Sequence, residues 1–201
     1  ASGDLSSFNL SNVSLILSAA STLPDSNSDL PVSINANSHT VTVASSVDIS
    51  SVTLTSQGSY VVNASTTLTA TAAQMTAKTI TGSGTTAITA LQSTTAANLA
   101  SITTLLVTAA ATVADATTIN FTGNLGKAAV SITGTNGGGN DIFNVSNATI
   151  GSASFAVDTN ALLLGTATKL SGITVTGAGA TSITGLESAL DADLSTIETN
   201  T

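Results

Sequence analysis

The chain of 201 residues has no cysteine, no tryptophan and no arginine, and only 7% of its residues are charged. The absence of cysteine excludes disulfides, thiolate metal sites and a cysteine nucleophile. The cations are Lys78, Lys127 and Lys169, which face 11 acidic residues and leave a net charge of −8. Because nucleic acids and anionic membranes are bound through basic patches, neither is an expected partner. The sequence also has no apolar run long enough for direct membrane insertion.

Serine and threonine, and not charged residues, supply most of the polar side chains, and together they account for 66 of the 201 residues. Hydrophobic residues make up 42% of the chain, but aromatic residues make up only 2%. Threonine, valine and isoleucine fit the pleated surface of a strand, whereas helices usually carry Glu, Lys and Arg on their solvent faces. The composition therefore predicts an all-β fold with a thin core of small aliphatic side chains.

A long internal repeat relates the segment 79–103 to the segment 174–198. From Thr79 to Thr103, 12 of 25 positions are identical to the residues 95 positions later. In the second copy, the segment 173–176 (ITVT) alternates apolar and polar residues, as a strand with one buried face does. The segment 177–179 (GAG) then permits a sharp corner, because glycine tolerates positive φ.

A shorter unit lies inside this repeat and consists of a polar residue, an aliphatic residue, a small residue, any residue and a second aliphatic residue. The first aliphatic residue recurs at Ile49, Met75, Leu99, Leu170 and Leu194, with degenerate copies at Leu125 and Ile150. The step between adjacent copies, about 24 residues, is typical of stacked supersecondary units. Because parallel crossovers are right-handed in nearly all sheets, we expect a right-handed parallel β-solenoid (β-helix) with coils of about 24 residues. A β-sandwich is the alternative, since regularly spaced short strands also fit it.

The N-terminal part of the sequence is less regular than the rest. Pro24 and Pro31 flank a turn-rich loop, DSNSD. We therefore expect residues 1–40 to form an N-terminal cap or junction and residues 41–201 to form the solenoid repeat region.

Few residues are candidates for catalysis. His39 is the single histidine, and no Gly-x-Ser-x-Gly elbow singles out one serine. Glu187, Asp191 and Asp193 lie close enough in sequence to supply a carboxylate pair of the glycosidase type. Clefts that bind sugars also present aromatic or basic residues, which this chain nearly lacks. We therefore predict no catalytic residues and no enzyme activity, with a polysaccharide-active enzyme as an alternative.

One stretch resembles a metal-binding repeat. Residues 136–143 read NGGGNDIF, which is similar to one nonapeptide of the RTX family, Gly-Gly-x-Gly-x-Asp followed by alternating apolar residues. Here Asn136 stands where the family has its first glycine. RTX repeats bind calcium through aspartate carboxylates and backbone carbonyls. The resemblance makes Asp141, Asn136 and Asn140 candidate calcium ligands and calcium the one expected cofactor; a glycine-rich corner before a strand is the alternative interpretation.

Thr-x-Thr pairs recur at matching positions of the unit. On a solenoid they are predicted to point outward and to stack into a ladder. A flat array of this kind resembles the face of β-helical ice-binding proteins, so the six threonines are candidate binding residues for ice or a glycan. They are Thr53, Thr55, Thr79, Thr81, Thr174 and Thr176. Outward threonine is also what any soluble strand with few charges uses, which is the structural alternative.

The composition, the Leu-Ser-x-Ile-Thr-x-Thr-Gly-x-Gly unit and the Gly-Gly-Gly-Asn-Asp stretch together resemble a class of bacterial proteins. This class contains the Thr/Ala-rich, cysteine-free surface proteins of Gram-negative bacteria, including S-layer proteins and RTX-type adhesins exported by type I secretion. The resemblance implies an extracellular location at the bacterial cell surface and a structural role. It also implies self-assembly into a lattice or filament, or packing against neighbouring modules of a longer chain.

Overall fold

The computed structural model describes residues 3–135, 141–188 and 191–200. Its strands pair in parallel and stack as a right-handed β-solenoid of about nine turns, with 8% helix. The predicted all-β solenoid is confirmed, and the β-sandwich alternative is wrong because the described strand pairs are parallel. The chain divides into two compact units: unit 1 comprises Ala1–Thr89 and Ser101–Val107, and unit 2 comprises Ala90–Ala100 and Thr108–Thr201.

The strands of unit 1 are short and lie in three sheets, ordered β1-β3-β5-β8-β10, β2-β4-β7 and β6-β9-β11. They are β1 (Gly3–Asp4), β2 (Ser14–Ile16), β3 (Ser21–Thr22), β4 (Ser33–Asn35), β5 (Thr40–Val43), β6 (Val47–Asp48), β7 (Thr53–Leu54), β8 (Ser59–Val62), β9 (Thr67–Thr71), β10 (Ile80–Thr81) and β11 (Thr85–Thr89). One helix of four residues, α1 (Ala72–Met75), follows β9, and a 3₁₀ turn covers Asn27–Asp29.

The strands of unit 2 are longer and follow one another around each coil. They are β12 (Leu106–Val113, within unit 2 from Thr108), β13 (Thr118–Asn120), β14 (Ala129–Gly134), β15 (Asp141–Asn144), β16 (Ser154–Val157), β17 (Ala161–Thr166), β18 (Val175–Thr184) and β19 (Ile197–Asn200). Their order is β13-β15-β17-β18-β16-β14-β12, and β19 also pairs with β18. The helix α2 (Ala167–Leu170) follows β17, and 3₁₀ turns cover Leu91–Ser93 and Leu186–Ser188.

Successive coils pair in register, but the length of a coil varies along the chain. Thr40 and Ser59, which pair between β5 and β8, are separated by 19 in sequence number. Asn120 and Asn144, which pair between β13 and β15, are separated by 24. The repeat step found in the sequence, about 24 residues, therefore corresponds to the longer coils.

Parallel pairing extends through the segment expected to be a cap. β1 pairs with β3, and β3 pairs with β5, in the same sheet. β2 pairs with β4 in a second sheet. Residue 40 therefore marks no change in strand pairing, since both sheets include strands from either side of it.

The core is built from the inward positions of each coil, and the first aliphatic residue of the short unit lies there in each copy from Ile49 to Leu170. The buried members are Ile49, Met75, Leu99, Leu125, Ile150 and Leu170. The few aromatic residues that the core holds are also fully buried, and they are Tyr60, Phe121, Phe143 and Phe155. Phe121 stacks on Phe143 with ring centroids 5.8 Å apart. Burial raises the pKa of Tyr60 to about 12.

The long repeat is a repeat of structure as well as of sequence. Thr71 and Thr166 lie at equivalent positions, and each caps a four-residue helix by accepting a hydrogen bond of 3.2 Å from the backbone N–H of the third residue after it. After each helix come a short strand and a glycine corner. Equivalent hydroxyl pairs then follow, Thr86 with Thr104 at 2.9 Å and Thr181 with Thr199 at 2.8 Å.

The glycine corner demands glycine for two independent reasons. Gly82 and Gly177 occupy equivalent positions, and both have a φ of +114°. Residues other than glycine rarely adopt this backbone conformation. A Cβ on Gly177 would also overlap the backbone carbonyl oxygen of Val157 in the preceding coil. This corner divides β18, which pairs with β16 before it, with β17 after it and with β19 on both sides of it.

We predict that Gly177→Ala costs about 3 kcal/mol of unfolding free energy, because it adds a forbidden φ and a clash with backbone. The matched control is Gly172→Ala, since Gly172 has a φ of +70° and no atom within 4 Å of an added Cβ. The control should cost about 1 kcal/mol, the strain of a left-handed residue alone. Urea denaturation followed by circular dichroism measures both, and equal losses would contradict the clash.

Candidate functional site

The polar residue that opens the short unit makes a turn. In five copies its side-chain Oδ1 accepts the backbone N–H of the second residue after it, at 2.8 to 3.1 Å. These residues are Asp4, Asp48, Asn98, Asn124 and Asp193. Aspartate or asparagine at this position is the sequence signal of such a turn, and sequence reasoning missed it; the copies at Met75, Ile150 and Leu170 open with Gln74, Thr149 and Lys169 instead.

Asp193 was a candidate acid for an enzymatic carboxylate pair. Its Oδ1 accepts hydrogen bonds from the hydroxyl of Ser195 at 2.6 Å and from the backbone N–H of Ser195 at 3.0 Å. The hydroxyl bond, followed by the backbone bond, lowers the pKa of Asp193. A glycosidase acid needs a raised pKa, so the shift runs in the opposite direction. Asp193 occupies the same turn position as Asn98 and Asn124, where an amide serves equally well.

Asp141, the candidate calcium ligand, is a buried carboxylate with 1% of its surface exposed. Its Oδ1 accepts the backbone N–H of Ala116 at 2.9 Å, and its Oδ2 accepts that of Thr135 at 2.8 Å. Asp141 thereby ties the turn after β12 to the end of β14. Asn136 and Asn140, the other two candidate ligands, lie outside the described residues. Within the described part of the chain, no three His, Cys, Asp or Glu residues are grouped as a metal site.

The six threonines predicted to form one ladder are all exposed, but the three that lie in strands belong to three different sheets. Thr53 lies in β7 and pairs with Ser33. Thr81 lies in β10, in another sheet of unit 1, and pairs with Val61. Thr176 lies in β18 of unit 2, between Ala156 and Glu198. The expected common ladder is therefore not formed, because a similar motif falls on different sides of the coil when the step changes.

A denser hydroxyl surface lies on β9 and β11 of unit 1. The sequence of β9, TLTAT, alternates half-buried threonines with inward Leu68 and Ala70. Thr67 pairs with Thr85, and Thr71 pairs with Thr89, on the neighbouring strand. We call the outward side chains of β9 and β11 the threonine face. Its signal in the sequence is the threonine at every second position from 67 to 71.

Two of the three lysines donate to backbone carbonyls of a neighbouring coil. The Nζ of Lys78 donates to the carbonyl oxygen of Ser56 at 2.6 Å, and burial lowers the pKa of Lys78. The Nζ of Lys169 donates to the carbonyl oxygen of Ala148 at 2.7 Å. Lys78 borders a shallow groove of about 480 Å³, lined by Val52, Thr53, Leu54, Gln57, Ala73, Gln74, Thr76 and Lys78. This lining contains no carboxylate, so it offers no acid–base pair.

Comparisons with protein-family models, with curated protein sequences and with solved structures found no match. In the described ranges, no helix has the length and hydrophobicity needed to cross a bilayer.

We predict that Asp141→Ala costs about 3 kcal/mol of unfolding free energy, because the backbone N–H groups of Ala116 and Thr135 lose a buried acceptor. The control is Asp115→Ala, since Asp115 is an exposed aspartate, and its removal should cost less than about 0.5 kcal/mol. Urea denaturation measures both.

Repeating the urea denaturation with millimolar calcium checks the calcium prediction. Calcium binding through Asp141 should raise the urea midpoint of the wild type and leave the midpoint of Asp141→Ala unchanged.

Proposed function

We propose that this chain is an extracellular, non-catalytic structural module of a bacterial surface layer or adhesin, and that it self-assembles. The observation that carries the proposal is the stack of parallel coils itself. Within the described residues, each of β1, β2 and β19 pairs with a strand on one side. An unpaired strand edge is a template for another strand, so coils of a neighbouring copy or module are natural partners.

Apolar side chains at the first coil support this proposal. Phe8, Val13 and Ile16 are 55%, 41% and 71% exposed. Most large apolar side chains of the described residues are buried in the core, whereas these three face solvent. Exposed apolar patches mark interaction sites, and these three residues lie within nine positions of the chain, so we assign this end of unit 1 to a contact with a neighbouring copy or module.

The charges at the two terminal coils set the conditions for that contact. The first coils carry Asp4, Asp25 and Asp29, whereas the last coil carries Glu187, Asp191, Asp193 and Glu198. Contact between such ends brings like charges together, and salt or a divalent cation relieves the repulsion. Calcium would therefore promote assembly as a counter-ion even without a dedicated site.

We expect the isolated chain to associate with increasing concentration in sedimentation velocity, and more strongly in calcium chloride than in sodium chloride of equal ionic strength. Ile16→Ser should weaken the association because it removes an apolar contact of the first coil. The matched control is Leu105→Ser, which removes an equally exposed side chain, 77% exposed, elsewhere in unit 1. A strictly monomeric chain, with and without millimolar calcium, would contradict the proposal.

Ice or glycan binding is a second candidate function, and the threonine face favours it. Thr67 pairs with Thr85 and Thr71 with Thr89, at about 4.8 Å across the sheet, which gives two rows of hydroxyl groups on either side of the Thr69–Ala87 pair. If the chain binds ice, we expect it to show thermal hysteresis. Thr69→Tyr should abolish the hysteresis, because the tyrosine ring would protrude from the threonine face. Thr53→Tyr is the control, because Thr53 lies in a different sheet. Absence of hysteresis in the wild type would exclude ice as the ligand.

A further inference from the structure

An outward sheet surface of unit 2 carries apolar side chains that the fold does not require there. It is formed by β13, β15, β17 and the second half of β18, whose strands pair in register. We call it the leucine face. Its outward side chains are Thr118, Asn120, Ile142, Asn144, Leu162, Leu164, Ala180 and Ser182.

The internal repeat supplies a control for this surface. Leu162 and Leu164 in β17 occupy the positions of the long repeat that Thr67 and Thr69 occupy in β9. Both strands lead into equivalent four-residue helices with equivalent threonine caps. The same local structure is thus built with threonine facing outward in one copy and leucine in the other. Leucines that are half-buried and face solvent gain only part of the free energy that full burial of an apolar side chain provides. The stability of the strand therefore does not explain why leucine stands at these two positions.

The leucine face is also neutral in a chain whose net charge is −8. Two of its polar groups bond to each other, since the Nδ2 of Asn144 donates to the Oδ1 of Asn120 at 2.8 Å. None of the eight outward side chains is charged. A second, equally acidic copy can therefore approach here without placing carboxylates against carboxylates, which the acidic terminal coils do not permit.

Charges at the borders of the face indicate how a second copy is oriented. Asp158 is exposed and lies just before β17, whereas Lys169 lies in α2, directly after β17. Lys169 donates one hydrogen bond to Ala148, and an ammonium group has three donors. A two-fold axis along the stacking direction of the coils makes the two β17 strands antiparallel. Lys169 of each copy then faces Asp158 of the other at the same coil, as an isologous contact requires.

We propose that the leucine face binds the leucine face of a second copy of this chain, related by that two-fold axis. The inference rests on the proposed self-assembly and assigns its lateral contact. The leucine face supplies contacts beside the stack of coils of unit 2. A layer needs lateral contacts of this kind in addition to contacts along a stack, whereas a filament needs only contacts along a stack.

The size of the leucine face sets the strength of the contact. Four strands at about 4.8 Å spacing, with a rise of about 3.3 Å per residue along each strand, span roughly 19 by 17 Å. That area is well below the ~800 Å² per partner of a stable complex. The contact is therefore weak between two isolated copies and gains strength when many copies repeat it, so its test requires high protein concentration.

The test is sedimentation equilibrium of the full chain from micromolar to near-millimolar concentration. The variant Leu162→Thr/Leu164→Thr installs the residues that the other copy of the repeat carries, and we expect it to lower the association constant at least ~10-fold. The matched control, Thr67→Leu/Thr69→Leu, adds the same leucines to the threonine face and should leave the constant within about twofold. Asp158→Lys should also weaken association, by opposing Lys169 of the second copy. Circular dichroism and thermal melting check that each variant is folded.

The outcomes separate this contact from the proposed function. A monomeric wild type overturns both. Suppose that the wild type associates and that Ile16→Ser weakens this association but the double threonine variant does not. The leucine face is then not the lateral contact, and the proposed self-assembly stands. Equal gains from leucines on the threonine face would show nonspecific adhesion and overturn the assignment. Loss of binding to bacterial polysaccharide in the double threonine variant, with association unchanged, would assign the face to a glycan.

Discussion

Hydrogen bonds between successive coils are the constraint on which the rest of this structure depends. The partner of each described strand lies one coil away, so that β1 pairs with β3 and β14 pairs with β16, and the backbone of a strand is satisfied by its neighbouring coils. A coil therefore folds only as part of a stack. Side chains that face inward must fit the layer above and below, and Val, Ile, Leu and Ala do so in a narrow core. The same constraint fixes the glycine corners, where the backbone of Val157 leaves no space for a Cβ at Gly177.

Outward positions are free of that constraint, so they are where function can vary. The two copies of the long repeat show this directly: caps, helices, corners and the hydroxyl pairs are kept, while Thr67 and Thr69 become Leu162 and Leu164. The threonine face and the leucine face thus include equivalent strands that have the same local backbone structure. Proteins that assemble through repeated weak contacts need surfaces of this kind, since each contact is small and its effect grows with the number of copies.

The features that could be predicted from sequence are those that repeat in the core. The buried aliphatic positions from Ile49 to Leu170, the strand character that begins at Val175 and the corner at Gly177 all follow from periodicity and glycine placement. The side of the coil on which a motif lies could not be predicted, because the step varies and errors accumulate along the chain. Thr53 and Thr81 therefore fall in different sheets. The role of Asp141 was also hidden, since its backbone donors are brought to it by the fold and leave no motif.

The scarcity of charge follows from the stacking as well. In a parallel in-register stack, an outward position of one coil lies about 4.8 Å from the equivalent position of the next. A repeated charged residue would thus oppose itself along the stack, at a cost of about 1 kcal/mol per pair even in bulk water. Hydroxyl and amide groups both donate and accept, so equivalent positions attract: Thr40 bonds to Ser59 at 3.1 Å, and Asn144 bonds to Asn120 at 2.8 Å. A chain that repeats its coils is therefore driven toward serine, threonine and asparagine on its outward faces. The low charge that distinguishes this sequence is a consequence of its fold, and it leaves the outward faces of the coils mostly neutral.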